Sequence, residues 1–207
     1  MDPRSLRLYR HPLSGHCHRV ELILSILDLA YQKIDVDFAA KPPELLAANR
    51  FGQLPVLIDG ADAIADSAAI LVYLASRYDS SRRWLPTEPR QAAEVTRWLS
   101  AASGPLAYGP SAARVTRLFQ RPGSLEPMHA IAARLFGVVE EELATRRWLA
   151  ADHATIADLA WYAYTARAPE GGISLAPYPN LRAWLARVEA LPGFIPMVTS
   201  DVPSATT

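Results

Sequence analysis

The chain has 207 residues, half of them hydrophobic and a fifth charged, which suits one large or two small folded domains and excludes a disordered chain. Twenty-one basic residues balance 21 acidic ones, so the basic surplus of a dedicated nucleic-acid binder is missing. The longest apolar run, Ala68 to Ala75, falls short of the roughly 20 residues of a membrane span.

The opening stretch MDPRSLRLYRHPL contains no apolar segment of signal-peptide type, and a soluble, cytoplasmic protein is expected. Leu6 and Leu8 alternate with Arg7 and Tyr9, the period of a strand. Behind the turn-forming pair Ser14-Gly15, Val20, Ile23, Leu24 and Leu27 recur at helical spacing. Ile34, Val36 and Phe38 alternate with Lys33, Asp35 and Asp37 and predict a second strand. A short helix is predicted from Pro43 to Asn49, with proline in the first turn, where its missing N–H costs nothing. Val56-Leu57-Ile58 and Ala63-Ile64 flank Asp59-Gly60-Ala61-Asp62, a connection short enough for a hairpin. Leu71, Leu74, Ala75 and Tyr78 mark a helix that starts near Ser67. The order β-α-β-α-β-β-α combines a parallel crossover with an antiparallel hairpin, so a small mixed sheet is predicted.

The segment DSSRRWLPTEP that follows reads as a linker. Beyond it no strand pattern stands out. Helical periodicity covers roughly 89–104, 108–120, 125–147, 156–167 and 178–190, interrupted by Gly104-Pro105, Pro122-Gly123 and Pro169 to Gly172. The fold class is therefore α/β followed by all-α, with domains at 1–79 and 89–207 and a linker at 80–88.

Three polar starts of helices or strands fall in the α/β part. Ser14 opens the first helix, whose N-terminus favours an anion and lowers the pKa of a thiol held there; the same residue also reads as a plain N-cap. Pro55 at a strand start would leave the backbone of Leu54 free to pair with an extended ligand. Asp66 and Ser67 begin the third helix, again as caps or as ligand contacts. A ligand with a thiol, a peptide-like middle and an amino-acid head would use all three.

With these residues in view, the sequence resembles the glutathione transferase superfamily, in particular its bacterial, serine-type, theta- or nu-like cytosolic members. The matching stretches are LYRHPLSGHCHRV (8–20), Asn49 to Leu57, DSAAILVYLASRY (66–78), Thr155-Ile156-Ala157-Asp158 as a capping box, and YPNLRAWLARVEALPGF (178–194). The resemblance implies a thioredoxin-like N-terminal domain and a helical C-terminal domain. It implies a homodimer that conjugates glutathione to a small, electrophilic, apolar molecule in detoxification, with glutathione as co-substrate and neither a cofactor nor a metal. Ser14 matches the serine that hydrogen-bonds the glutathione thiolate. Leu54 and Pro55 match the backbone contact and its cis-proline, Asp66 and Ser67 the pair that holds the γ-glutamyl head. Gln53 and Lys41 stand where the glycyl carboxylate is received. Leu13, Tyr108 and Arg114 are expected along the pocket of the second substrate. A glutathione-dependent reductase or isomerase, or a non-catalytic glutathione-binding or regulatory member, is the alternative on the same scaffold.

The chain departs from the family pattern in three places. Arg50 follows Asn49 where proline is usual, and Asp66 replaces the more frequent Glu. His16 interrupts the Ser-Ser-Cys sequence of maleylacetoacetate isomerases. Cys17 reads as a buried apolar group or as a thiol catalyst, Tyr9 as a strand residue or as a tyrosine-type activator. His11, His16 and His18 lack the spacing of helical metal ligands. Glu140 to Glu142 read as a solvated helix face, and Trp84, Trp98, Trp148, Trp161 and Trp184 as packing residues.

Overall fold

The computed structural model describes residues 6–202; the outermost ends of the two expected domains, 1–5 and 203–207, lie outside the described residues. Strand β1 (Leu6–Arg10) sits inside a four-stranded sheet of order β2-β1-β3-β4. Helix α1 (Gly15–Ile26) carries the chain back across one face, so β2 (Tyr31–Asp35) pairs with β1 in parallel, from Leu6 opposite Tyr31 to Arg10 opposite Asp35. β3 (Val56–Asp59) and β4 (Asp62–Ala65) complete the mixed sheet as an antiparallel hairpin. Asp59 and Asp62 belong to the ladder, so only Gly60 and Ala61 turn, and Gly60 at φ +60° supplies the positive φ that a two-residue hairpin needs.

The second strand ends earlier than its alternation predicts. Its last ladder contact is the Val36 N–H donating to the Arg10 carbonyl at 2.8 Å. Beyond Arg10 the partner strand turns at His11-Pro12, and Pro12 has no N–H to offer. Phe38 therefore leaves the sheet and stacks on His11, ring centroids 4.5 Å apart.

Helix α3 (Ser67–Tyr78) packs beside α1 on one face, where Leu8, Leu22, Ile23, Leu57, Ile70 and Leu74 are fully buried. Helix α2 (Pro43–Ala48) covers the other face, its Leu45 buried among Tyr9, Val36 and Val56. Tyr9 is thus a packing residue, as its alternation suggests. Asp59 ties β3 to α3 by accepting the hydroxyls of Tyr73 (2.8 Å) and Tyr78 (2.5 Å).

The remainder is helical: α4 (Pro89–Ser103), α5 (Ala112–Leu118), α6 (Glu126–Thr145), α7 (Ile156–Ala166) and α8 (Pro179–Glu189). Where one helix is predicted over 108–120, the chain first makes a wide π-helical turn, Ala107–Ser111, and only then α5. Pro110 inside that turn lacks the N–H for a regular α-helical bond, which accounts for the widening. Helix α7 is buried on every side from Ile156 to Thr165 and packs against α1, α3, α4 and α8. All five tryptophans are buried; Trp161 donates to the Trp98 carbonyl at 2.8 Å. No helix among the described residues is long and apolar enough to cross a membrane.

The capping box at α7 reaches further than its sequence signature. Both halves of the box are present: Asp158 Oδ2 accepts the Thr155 N–H (2.9 Å), and the Thr155 hydroxyl accepts from the Asp158 backbone, with the Ala157 N–H also at 3.3 Å. Asp158 Oδ1 then accepts the Leu149 N–H (3.1 Å) and the Trp184 indole N–H (2.9 Å), joining α7, α8 and the loop before α7. Glu140 corrects the reading of the acidic run: its carboxylate accepts the N–H groups of Asn180 and Leu181, both at 2.9 Å, and caps α8. Replacing Asp158 with Ala orphans three buried donors, and the expected loss is about 3–5 kcal/mol in urea unfolding. A loss under about 1 kcal/mol would remove Asp158 from this role.

Candidate active site

β1 ends at Arg10, and the turn through Pro12 and Leu13 delivers Ser14 to the N-cap of α1. Ser14 Oγ accepts the Cys17 N–H at 3.3 Å, so the cap is real. The hydroxyl also lies beside Cys17 Sγ, which it stabilises as an anion. Burial nevertheless dominates at Cys17: the side chain is fully enclosed and its thiol is pushed up to about 11. A neutral thiol is a weak acceptor. The Ser14 proton is therefore available to any stronger acceptor that arrives on its open side.

The Leu54-Pro55 peptide is cis and leads directly into β3. Among the described residues no hydrogen bond engages the Leu54 N–H or C=O. The loop before it is held by Asn49, which the sequence marks as a helix end and a family-like position but not as a clamp. Asn49 Nδ2 donates to the Gln53 carbonyl (3.0 Å), Asn49 Oδ1 accepts the Phe51 N–H (3.1 Å), and Asn49 is almost fully buried. Arg50 in place of proline thus leaves the loop clamped at both ends. Gly52 adopts φ +60°, a conformation that a side chain would strain, and a Cβ there would lie 3.5 Å from Lys41 Nζ.

At α3 the acid and the serine divide their work. Asp66 Oδ1 accepts the N–H groups of Ala68 (2.7 Å) and Ala69 (3.2 Å) from a backbone at φ +71°, and among the described residues Oδ2 has no partner. Ser67 is almost fully buried, with its hydroxyl 3.3 Å from His16 Nδ1 and 3.4 Å from Arg19 Nη1.

These three starts converge on one cavity of about 690 Å³ between the sheet and the helical part. Leu13, Ser14, Lys41, Gln53, Leu54, Pro55, Asp66, Ser67 and Tyr108 all line it. Arg114 does not. It is 1% exposed, its Nε donates to Glu170 Oε2 at 2.7 Å and its Nη1 to the Leu13 carbonyl at 2.8 Å. A buried guanidinium paired with a buried carboxylate has no freedom to face a ligand, so Arg114 braces the Ser14 turn instead.

Sequence reasoning missed other parts of the wall. Phe38, Phe119, Val115, Tyr164, His11 and His16 also line the cavity. Phe38 was hidden by its agreement with strand alternation, and Tyr164 by the uniform burial of α7. The three histidines diverge: His11 and His16 face the cavity, whereas His18 bonds the Ile195 carbonyl at 2.9 Å. Burial, helped by Arg19, lowers His16 to about 3, so its imidazole is neutral.

Residues 8–82 match the family model described as the glutathione S-transferase N-terminal domain, and residues 129–192 match that of the C-terminal domain. Glutathione S-transferase 3 of Zea mays is 34% identical over 205 residues, with 91% of each chain covered. The disulfide-bond oxidoreductase YfcG of Escherichia coli is 27% identical, over 84% of this chain and 86% of that protein. The crystal structure of a glutathione S-transferase from Xanthobacter autotrophicus superposes with a TM-score of 0.86 at 32% identity, covering 93% of this chain and 97% of that one.

The enclosure of Cys17 has a direct readout. At neutral pH the native protein should release almost no chromophore from a disulfide thiol reagent, and about one equivalent once unfolded in guanidinium. Rapid labelling of the folded protein would contradict the burial.

Proposed function

This chain belongs to the glutathione S-transferase family, and from that premise we propose that it conjugates the thiolate of glutathione to an electrophilic, apolar co-substrate. The observation that carries the reading is the meeting of the Ser14 hydroxyl, the unpaired Leu54 backbone and the Asp66-Ser67 pair on one cavity. In chemistry these groups suit a thiolate, a peptide backbone and an amino-acid head respectively. Lys41 and Gln53 at the far end receive the glycyl carboxylate. Leu13 and Tyr108 face the co-substrate together with Phe38, Val115 and Phe119, an apolar and aromatic wall. The same reading includes a glutathione-binding domain at 1–79, a linker at 80–88, a co-substrate domain at 89–207, and a homodimer.

Ser14 acts as a hydrogen-bond donor and forms no covalent bond. A hydrogen bond to a charged group contributes about 1.5–3 kcal/mol, and a helix N-terminus adds about 0.3–1 kcal/mol. At 1.36 kcal/mol per pH unit, together they lower the thiol by about one to three units, enough to make the thiolate a large fraction at neutral pH. The thiolate sulfur then forms a bond to the electrophilic carbon, and the leaving group departs with its electron pair. Proximity within the cavity supplies the rest.

A second reading draws on the likeness to YfcG. The same thiolate would attack a disulfide sulfur, forming a new S–S bond and expelling the other sulfur as thiolate. Cys17 plays no part in either scheme, since it is enclosed. Replacing Ser14 with Ala should cut the conjugation of chlorodinitrobenzene by more than about tenfold while glutathione binding changes little. Unchanged turnover would sink the assignment of Ser14. Faster turnover of a small disulfide than of the aryl chloride would favour the second reading. Retention on immobilised glutathione with neither activity would favour a binding member.

A further inference from the structure

Among the described residues two arginines are fully enclosed, and they differ in one respect. Arg114 is paired with Glu170 at 2.7 Å. Arg19, in the second turn of α1, is 0% exposed and has no carboxylate within ion-pair distance among the described residues. Its Nη1 donates to Ser67 Oγ at 3.4 Å, its guanidinium lies 6.0 Å from the centroid of the Tyr164 ring, and its Nε and Nη2 have no hydrogen-bond partner among the described residues. The nearby acid, Asp66, is engaged in capping α3. An enclosed charge without a counter-ion is among the least favourable groups in a fold, and an anion supplied from the cavity would relieve it.

The hydrogen-bond arithmetic at Ser67 says where that anion acts. Arginine only donates, so Ser67 Oγ is the acceptor towards Arg19, and its single proton must go elsewhere. One acceptor in reach is His16 Nδ1 at 3.3 Å, which accepts in the neutral imidazole when the ring proton sits on Nε2. The other direction is the cavity, which Ser67 lines.

We propose that Arg19 is a positioning residue for the ligand's amino-acid head: it donates to Ser67, turns the Ser67 proton towards the ligand α-carboxylate, and supplies the buried positive charge that this carboxylate answers. In the empty site His16 holds that proton. On binding, the hydroxyl changes acceptor from imidazole to carboxylate, and no proton is transferred. This inference rests on the reading of the cavity as a glutathione site and extends it to Arg19 behind the wall and His16 within it.

The test uses glutathione and γ-aminobutyryl-cysteinylglycine, the same peptide without that one carboxylate, each titrated by calorimetry. Wild-type protein should bind glutathione about 10–100-fold more tightly than the analogue. Arg19→Met should weaken glutathione by about tenfold or more while the analogue stays within about twofold, and Arg19→Lys should recover part of the loss. Because Met removes an unpaired buried charge, the melting temperature of the empty variant should hold or rise by about 2–4 °C. Equal weakening of both peptides, or a large fall in melting temperature, would assign Arg19 to the frame alone and overturn the proposal. If Arg19→Met does not fold, Arg19→Lys and Arg19→Gln carry the same comparison. Wild-type protein that binds both peptides equally refutes the role of Arg19 and leaves the glutathione reading standing. Binding of neither refutes both.

Discussion

The α/β part meets the helical part tightly at Gly15, where a Cβ would lie 2.8 Å from the ring of Tyr164. No side chain fits there, so α1 can rest on α7 only because its first residue has none. That contact places the N-terminus of α1 at the rim of the cavity and sets Tyr164 between His16 and Arg19. The Ser14 turn is then fixed from the other side by Arg114, which reaches the Leu13 carbonyl while held by Glu170. Glu170 also accepts the Ser200 hydroxyl at 2.6 Å, so the C-terminal stretch is fixed to the same brace.

The polar residues at the element starts carry structure and chemistry at once. Ser14 and Asp66 are N-caps with defined partners, yet each keeps capacity on its cavity side: a proton in one case, a carboxylate oxygen in the other. A cap uses one lone pair of an oxygen and leaves the remainder of the group in place. The structural and functional readings of such residues, which sequence alone sets against each other, are therefore compatible. What marks the site is the convergence of two caps and one strand start on one opening.

Much of this was legible in advance. The order of elements follows from changes in hydrophobic period, and the mixed sheet from one crossover and one hairpin. Nine of the ten residues expected at the two substrate sites do line the cavity, because strand ends and helix starts at one edge of a sheet are close in space. Arg114 misled because helical position alone does not say which face is turned inward, and its partner Glu170 is distant in sequence. Phe38 misled for the opposite reason: its local pattern was correct, but the neighbouring strand had run out at Pro12. Arg19 and His16 gave no local signal, since only the packed structure shows that one has spare donors and the other a single buried acceptor.

Cys17 and Ser14 make the same point about electrostatics. Both stand at the start of α1, where the helix end favours a negative charge, and the pair differ by one turn. The protein's own sulfur gains the hydroxyl of Ser14 and the N–H of His11, yet its thiol rises rather than falls, because burial outweighs both. Under the proposed function, a sulfur entering from the cavity would meet the same hydroxyl and the same helix end without the full enclosure that silences Cys17. Position on the helix is thus insufficient to make a nucleophile. The depth at which the sulfur sits decides, and it gives the enclosed Cys17 a structural role while leaving chemistry, in the proposed function, to a thiol bound in the cavity.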